Sequence, residues 1–322
     1  MSAITTRLPA AAASTASAQQ RKARANRRRR LTVLAFMSPW IIGFCAFVAY
    51  PMLASLYFSF TSYNLSSSPK WVGLSNYRLA FGHDPIFWTA VRNTVWLVCI
   101  AVPIKILIAL GIGLFLVRVK RGSSFYRTIA YLPAMVPVVA AGLAFTYLLN
   151  ADGPLNRILG FFHIPKPLWF TDPSWAKPGL SLMMFWAVGN TMVILLSSLL
   201  EVPKDLYEAS SIDGAGPLRQ FRRITIPMIS PVLYFALLTG IIDGFQYFSQ
   251  AYVISKTISP DGILGAPNNS TMFYGTWLYQ QGYSYFNMGY AAALSWVLFI
   301  AILAVTLVLV RTQRRWVYYS GS

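Results

Sequence analysis

Acidic side chains are scarce in this chain. Nine Asp and Glu residues stand against 27 Lys and Arg among 322 residues, and charged residues of both signs make up only 11%. So little charge, beside 56% hydrophobic residues and a mean hydropathy of +0.52, excludes the soluble globular class. The only two cysteines, Cys45 and Cys99, lie in apolar runs, which argues against both a disulfide framework and a thiolate metal site. The two histidines, His83 and His163, stand alone in polar connections with no second ligand at metal spacing. No metal site and no catalytic residue is therefore assigned. No Gly-x-x-x-x-Gly-Lys-Ser/Thr phosphate loop occurs, nor a nucleophile motif or carboxylate pair, so the chain has no such route to ATP hydrolysis.

The basic surplus is local. Arg7, Arg21, Lys22, Arg24 and Arg27 to Arg30 all precede the first apolar run, a placement that suits anionic lipid and cytoplasmic retention better than nucleic acid. Residues 2 to 20 are rich in Ala, Ser, Thr and Gln and lack acids. Residues 1–30 are thus expected to be a disordered basic cytoplasmic tail.

What the chain has in abundance is stretches long enough to span a bilayer, each needing ~20 mainly apolar residues. Six are expected, over about Leu31–Phe58, Trp88–Val117, Thr128–Leu149, Gly179–Leu200, Met228–Gln250 and Met288–Val310. The second contains Pro103, and the third carries Pro133 and Pro137 in its first half. The expected fold class is therefore an all-α polytopic membrane protein with six transmembrane helices over 31–315 and a short tail over 316–322.

Arg21 to Arg30, Arg118, Lys120, Arg121 and Arg127, then Lys204, Arg219, Arg222 and Arg223, and finally Arg311, Arg314 and Arg315 all fall on one side of that arrangement. By the distribution of Lys and Arg, both termini and the 201–227 connection are cytoplasmic. The opposite connections are rich in aromatics. Trp71, Trp88, Trp169, Trp175, Trp277 and Tyr279 are expected to form an outer interfacial belt.

One cytoplasmic connection, residues 203–227, has a detailed pattern. Pro203 suits a helix start, good helix formers follow to Asp213, and Gly214 permits the backbone turn that stops them. Gly216-Pro217 then starts a second helix with Leu218, Phe221 and Ile224 on one face and Arg219, Arg222 and Arg223 on another. Pro227 is expected to end that helix before the fifth span.

This segment resembles the EAA loop of permease subunits of ABC importers. Glu208, Ala209, Asp213, Gly214, Ala215, Phe221, Ile224, Pro227 and Pro231 match the pattern, while Ser210 stands where alanine is usual. Trp71 to Tyr77, Gly265-Ala266-Pro267 with Asn269-Ser270-Thr271, and Gly289 to Ser295 are similar to segments of the carbohydrate-uptake branch, which includes the maltose and glycerol-phosphate permeases; Ala266 departs from a usual glycine. The resemblance covers residues 31 to 315.

It implies a type I importer permease fold in a bacterial plasma (inner) membrane. It also implies a coupling helix that docks on a separate ATPase through Glu208, Ala209, Ser210, Asp213, Gly214, Ala215, Phe221 and Pro227. No cofactor would be bound by this chain, ATP and Mg belonging to the ATPase dimer. The other implied partners are a second permease chain and an extracytoplasmic solute-binding protein.

Two ionisable residues fall inside apolar spans, Lys105 and Asp243. Charges there are costly and mark function by default; Lys105 has the alternative of snorkelling to the interface. Asp243 with Gln246, Tyr247 and Gln250, in helical register, is expected to line a polar substrate pathway suited to sugar hydroxyls. The alternative class is a stand-alone secondary transporter or channel for small polar solutes; a membrane-bound enzyme is the remaining one.

Overall fold

A computed structural model of the protein describes residues 31–318 apart from Lys120 and Pro260. The tail expected over 1–30 lies outside the described residues, as do Lys120 and the last four residues of the 316–322 tail. The chain divides into two compact units, the first reaching Tyr57 and the second beginning at Phe58. Helix α1 (Leu31–Ser59) makes up the described part of the first unit and runs on into the second.

The second unit begins with a two-stranded antiparallel ribbon, β1 (Thr61–Ser62) with β2 (Lys70–Trp71), in which Thr61 faces Trp71. Asn76 ties this ribbon down by donating from Nδ2 to the Ser59 and Thr61 carbonyls, both at 2.9 Å, while the Tyr77 hydroxyl donates to Ser59 Oγ at 2.8 Å. Then follow α2 (Pro85–Arg118), α3 (Ser123–Met135), α4 (Val138–Leu148), α5 (Pro154–Phe161), α6 (Pro173–Trp186) and α7 (Gly189–Glu201). The rest comprises α8 (Lys204–Ile212), α9 (Pro217–Phe245), α10 (Ser249–Ile258), α11 (Tyr274–Tyr279, continued by a wider turn over Gln280–Ser284) and α12 (Met288–Arg315).

Four of these helices, α1, α2, α9 and α12, are long and apolar enough to cross a membrane unbroken. The third and fourth expected spans are each a bent pair: α3 and α4 meet at 97°, α6 and α7 at 49°. Counting each pair as one span gives the six expected, but the two are not the straight helices that hydropathy alone implies. At the first bend Pro133 opens a tight helical turn over Leu132–Met135, and Pro137, unable to donate a backbone bond, adopts an extended ψ of 139° before α4 begins. At the second, Gly189 lies against the Tyr131 backbone, so close that a Cβ there would sit 2.9 Å from Tyr131 Cα.

The other prolines do not interrupt their spans. In α1, α2 and α9 a wide turn over Cys45–Ala49, Leu97–Ala101 and Phe221–Thr225 is followed by Tyr50, Val102 and Ile226, whose N–H groups bond five residues back. Pro51, Pro103 and Pro227 each come next, in the first turn of the resumed helix, where the missing donor and the ring are tolerated. Pro227 therefore does not end the second helix of the connection, as its sequence implied. The helix entering at Pro217 runs through it to Phe245.

The core of the second unit is built on α2 and α7, through Leu97, Val102, Ala109 and Leu116 from one and Met192, Leu195 and Leu199 from the other, with Ile229 of α9. Small residues let α9 lie close to α2, as is common between helices in lipid. A Cβ at Gly240 would lie 2.8 Å from Val102 Cγ1, and one at Gly244 would lie 2.9 Å from Val98 Cγ2. Since later residues of α9 meet earlier residues of α2, the two run antiparallel. Trp71, Trp88 and Trp175 are exposed as an interfacial belt requires, but Trp169 and Trp277 are buried. Their indole N–H groups are engaged inside, Trp169 by Asn156 Oδ1 at 3.0 Å and Trp277 by Asp84.

Candidate functional site

The connection from α8 to α9 is closed by a Schellman cap. Gly214 takes a left-handed φ of +75°, Ala215 N–H bonds the Ser210 carbonyl at 2.9 Å, and Gly214 N–H bonds that of Ser211 at 3.1 Å. Only glycine adopts this conformation at little cost, so Gly214 is a backbone requirement of the elbow. Gly216 then caps α9 in extended conformation, with Pro217 at its first position.

Side chains lock the two arms. Gln220 Nε2 lies 3.2 Å from the Tyr207 carbonyl, 3.0 Å from Ser210 Oγ and 2.8 Å from Ser211 Oγ, and both serines donate back to the Tyr207 carbonyl. The Tyr207 and Thr225 hydroxyls lie 2.8 Å apart. Ser210 thus occupies the place usual for alanine with a bonded hydroxyl, and Gln220, which the sequence pattern did not single out, is its partner. Phe221 and Ile224 pack on the core, while Leu218, expected with them, is exposed in the first turn of α9. Glu208, Ala209 and Asp213 are exposed, and Ile212 stands 88% exposed beside them. The elbow therefore has an ordered frame and an open face that mixes acidic and apolar groups.

At the other end of α9 the helix stops at Phe245, and Gln246 to Phe248 form a break before α10. Asp243, Gln246, Tyr247 and Gln250 are accordingly not in one helical register; Gly244, packed on Val98, and the break that follows it replace the continuous helix read from the sequence. The break nevertheless brings all four, with Lys105 of α2 and Met184 of α6, to the wall of one cavity of about 290 Å³. Asp243 and Gln246 are exposed to it, Lys105 and Gln250 are half-buried, and Tyr247 is buried with its ring 5.1 Å from Phe273. Lys105 lies within electrostatic reach of Asp243. The cavity can offer sugar hydroxyls both donors and acceptors.

Sequence reasoning passed over Asp84. It precedes Pro85 as the N-cap of α2, with Oδ1 accepting from the N–H groups of Ile86 at 2.9 Å and Phe87 at 3.1 Å. Its Oδ2 accepts from Trp277 Nε1 at 2.8 Å and the Tyr290 hydroxyl at 2.6 Å. The Asp-Pro dipeptide signals a helix start; the two partners, 193 and 206 positions away, carry no local signal. Nearby, Asn93 Nδ2 holds the Asn269 and Met272 carbonyls at 2.9 and 3.0 Å, and Thr94 Oγ1 accepts from Tyr274 N–H at 2.9 Å. These bonds fasten the 264–274 segment to α2 through its backbone.

An apolar multispan bundle with a polar cavity between its spans and a capped elbow presented at one end is a membrane permease. The chain belongs to the family of binding-protein-dependent transport system inner membrane components, whose model matches residues 105–317. It is 38% identical over 304 residues to the probable ABC transporter permease protein YesP of Bacillus subtilis, covering 94% of this chain and 96% of that one. It is 30% identical over 289 residues to the sulfoquinovosyl glycerol transport system permease protein SmoG of Agrobacterium fabrum, covering 88% and 91%. Among solved structures, a bacterial ABC transporter involved in the import of the acidic polysaccharide alginate shares the fold, with a TM-score of 0.77 at 20% identity over 91% of this chain and 99% of that one. The fold is that of an importer permease, and family membership sets aside both a stand-alone carrier and an enzyme.

Proposed function

We propose that this chain is one of two permease subunits of an ATP-driven, binding-protein-dependent sugar importer, with the 203–227 connection as its coupling element. The observation that carries the reading is the elbow itself: a Schellman-capped, Gln220-braced frame that leaves Glu208, Asp213 and Ile212 open. Such a face is suited to seating in a groove of a separate ATPase, which binds the ATP and Mg. Glu208, Ala209 and Asp213 make the contact, Ser210, Gly214 and Ala215 hold the bend, and Phe221 and Pro227 transmit movement into α9. Because α9 continues unbroken from the elbow to Phe245, displacement of the elbow shifts Asp243 at its far end.

The cavity of Lys105, Asp243, Gln246, Tyr247 and Gln250 lies on the translocation pathway. Its uncharged hydrogen-bonding groups and the sugar-derived substrate named for the Agrobacterium relative favour a carbohydrate. The spans over 31–315 form one membrane domain with both termini cytoplasmic, and an extracytoplasmic binding protein delivers the sugar to the opposite face. Tagged chain purified from its native host should carry an ATPase and a second permease, and the complex should hydrolyse ATP faster with sugar-loaded binding protein. Uptake of sugar by this chain alone in proteoliposomes without ATP would overturn the reading.

A further inference from the structure

A second cavity, of about 440 Å³, opens where the β1–β2 connection, the start of α2, α11 and the start of α12 meet. Because α2 and α9 are antiparallel, it lies at the far end of the spans from the elbow. Asp84 forms part of its wall, but that carboxylate already accepts four donors and is itself only 9% exposed, so it is a positioning residue rather than a free charge.

The remaining amide groups are uncharged and complementary in kind. Gln281 is only 6% exposed; its Oε1 accepts from Asn287 Nδ2 at 3.0 Å, and its Nε2 has no hydrogen-bond partner among the described residues. Asn76 uses Nδ2 on two carbonyls, which frees Oδ1 as an acceptor. Asn64 uses Oδ1 on Ser67, which frees Nδ2 as a donor, and the exposed His83 ring completes the rim. An amide donor that opens on a cavity is available to a ligand there. Donors and acceptors side by side, with aromatic walls from Tyr63 and Trp277, match groups that both give and accept hydrogen bonds, as vicinal hydroxyls do. An anion would leave the Asn76 acceptor unused and face the Asp84 carboxylate; a cation would leave the Gln281 donor unused. The volume is within the range of small-molecule sites.

One helix stands between this cavity and the inner one. Trp277 and Gln281 face the outer one from α11 and its continuation, while Tyr279 of the same helix has its ring 5.0 Å from Phe248, which lines the inner cavity. We propose that this outer cavity is a separate carbohydrate subsite, which holds a glycosyl unit through Gln281, Asn76, Asn64 and His83 on its way to the inner cavity. The direction of travel rests on the importer reading given above; the binding itself does not.

The test is equilibrium binding of radiolabelled lactose and maltotriose to the full chain in its detergent-solubilised complex, compared with Gln281→Leu, His83→Ala and Asp243→Asn variants. His83 is exposed, so its replacement leaves the fold intact. The expected result is saturable binding of at least one sugar that weakens about tenfold or more in Gln281→Leu and His83→Ala and by less than tenfold in Asp243→Asn. Absence of saturable binding, binding indifferent to both outer variants, or loss only in Asp243→Asn would each overturn the subsite. Energised uptake by the complex with no such binding removes the subsite alone. Binding as expected without any ATP-dependent uptake removes the importer reading and leaves the subsite standing.

Discussion

The elbow and the outer end of the spans are held together by opposite means. The side-chain bonds that brace the elbow join residues no more than 18 positions apart, Tyr207 to Thr225 being the widest. At the outer end Asp84 reaches Trp277 across 193 positions and Tyr290 across 206, and Thr94 reaches Tyr274 across 180. The elbow is therefore braced by local bonds, whereas the outer end is held by bonds between parts of the chain that were brought together only by folding. Exposure follows the same division. The elbow presents Ile212 and Glu208, while Asp84, Trp277 and Tyr290 are buried.

This contrast can be broken by substitution. The largest effect is expected for Asp84→Ala, which leaves two buried side-chain donors and two helix N–H groups unpaired. At roughly 1–3 kcal/mol for each buried group, the loss should reach about 4 kcal/mol. It should appear as a sharply lowered thermal midpoint of the detergent-solubilised protein and as new protease cleavage in the 264–287 segment. A loss no greater than that of an elbow variant would dissolve the distinction between the ends.

Next comes Gly214→Val. A β-branched residue forced to a φ of +75° carries about 1–2 kcal/mol or more of local strain. Membrane insertion and thermal midpoint should stay near normal while ATP-dependent uptake falls at least tenfold; normal uptake would show that the elbow has no coupling role.

Gln220→Ala removes one amide shared by three acceptors and should cost about 1 kcal/mol. Faster amide exchange confined to α8, read by mass spectrometry, is the expected sign, and exchange that spreads to α2 or α12 would contradict a locally braced elbow. The smallest effects are expected from Asp243→Asn and Gln246→Ala. The first removes a charge and the second an amide from the inner cavity, and each should raise the half-saturating sugar concentration ~3–10-fold with stability unchanged. Unchanged uptake and affinity in both would take these residues off the pathway.

Much of this was legible in the chain because its causes are local. Hydropathy marked the apolar stretches, and the Asp213-Gly214-Ala215 run marked the elbow, since a left-handed residue is needed at the point where α8 stops. The prolines were harder to read. Pro51, Pro103 and Pro227 look like breaks, but a wide turn before each lets the helix resume, whereas Pro137 produces a true bend. Nothing adjacent in sequence separates the two outcomes, because both satisfy the missing donor. The choice belongs to the neighbours against which each helix packs. Lys105, Asp243, Gln246, Tyr247 and Gln250 share a cavity by a different geometry from the one expected: the break at Gln246 brings together by a turn what a continuous helix was expected to align.

By itself, then, the sequence determined that this is a many-spanned membrane protein with a polar elbow and two charges to explain, because length, hydropathy and glycine conformation act over a few turns of chain. Only the tertiary structure decided that Asp84 joins three segments, that Lys105 and Asp243 share one cavity, and that a neutral amide-lined pocket exists at the outer end. Each of those depends on contacts between residues far apart in sequence, and such contacts are specified by packing and by the need to pair buried polar groups.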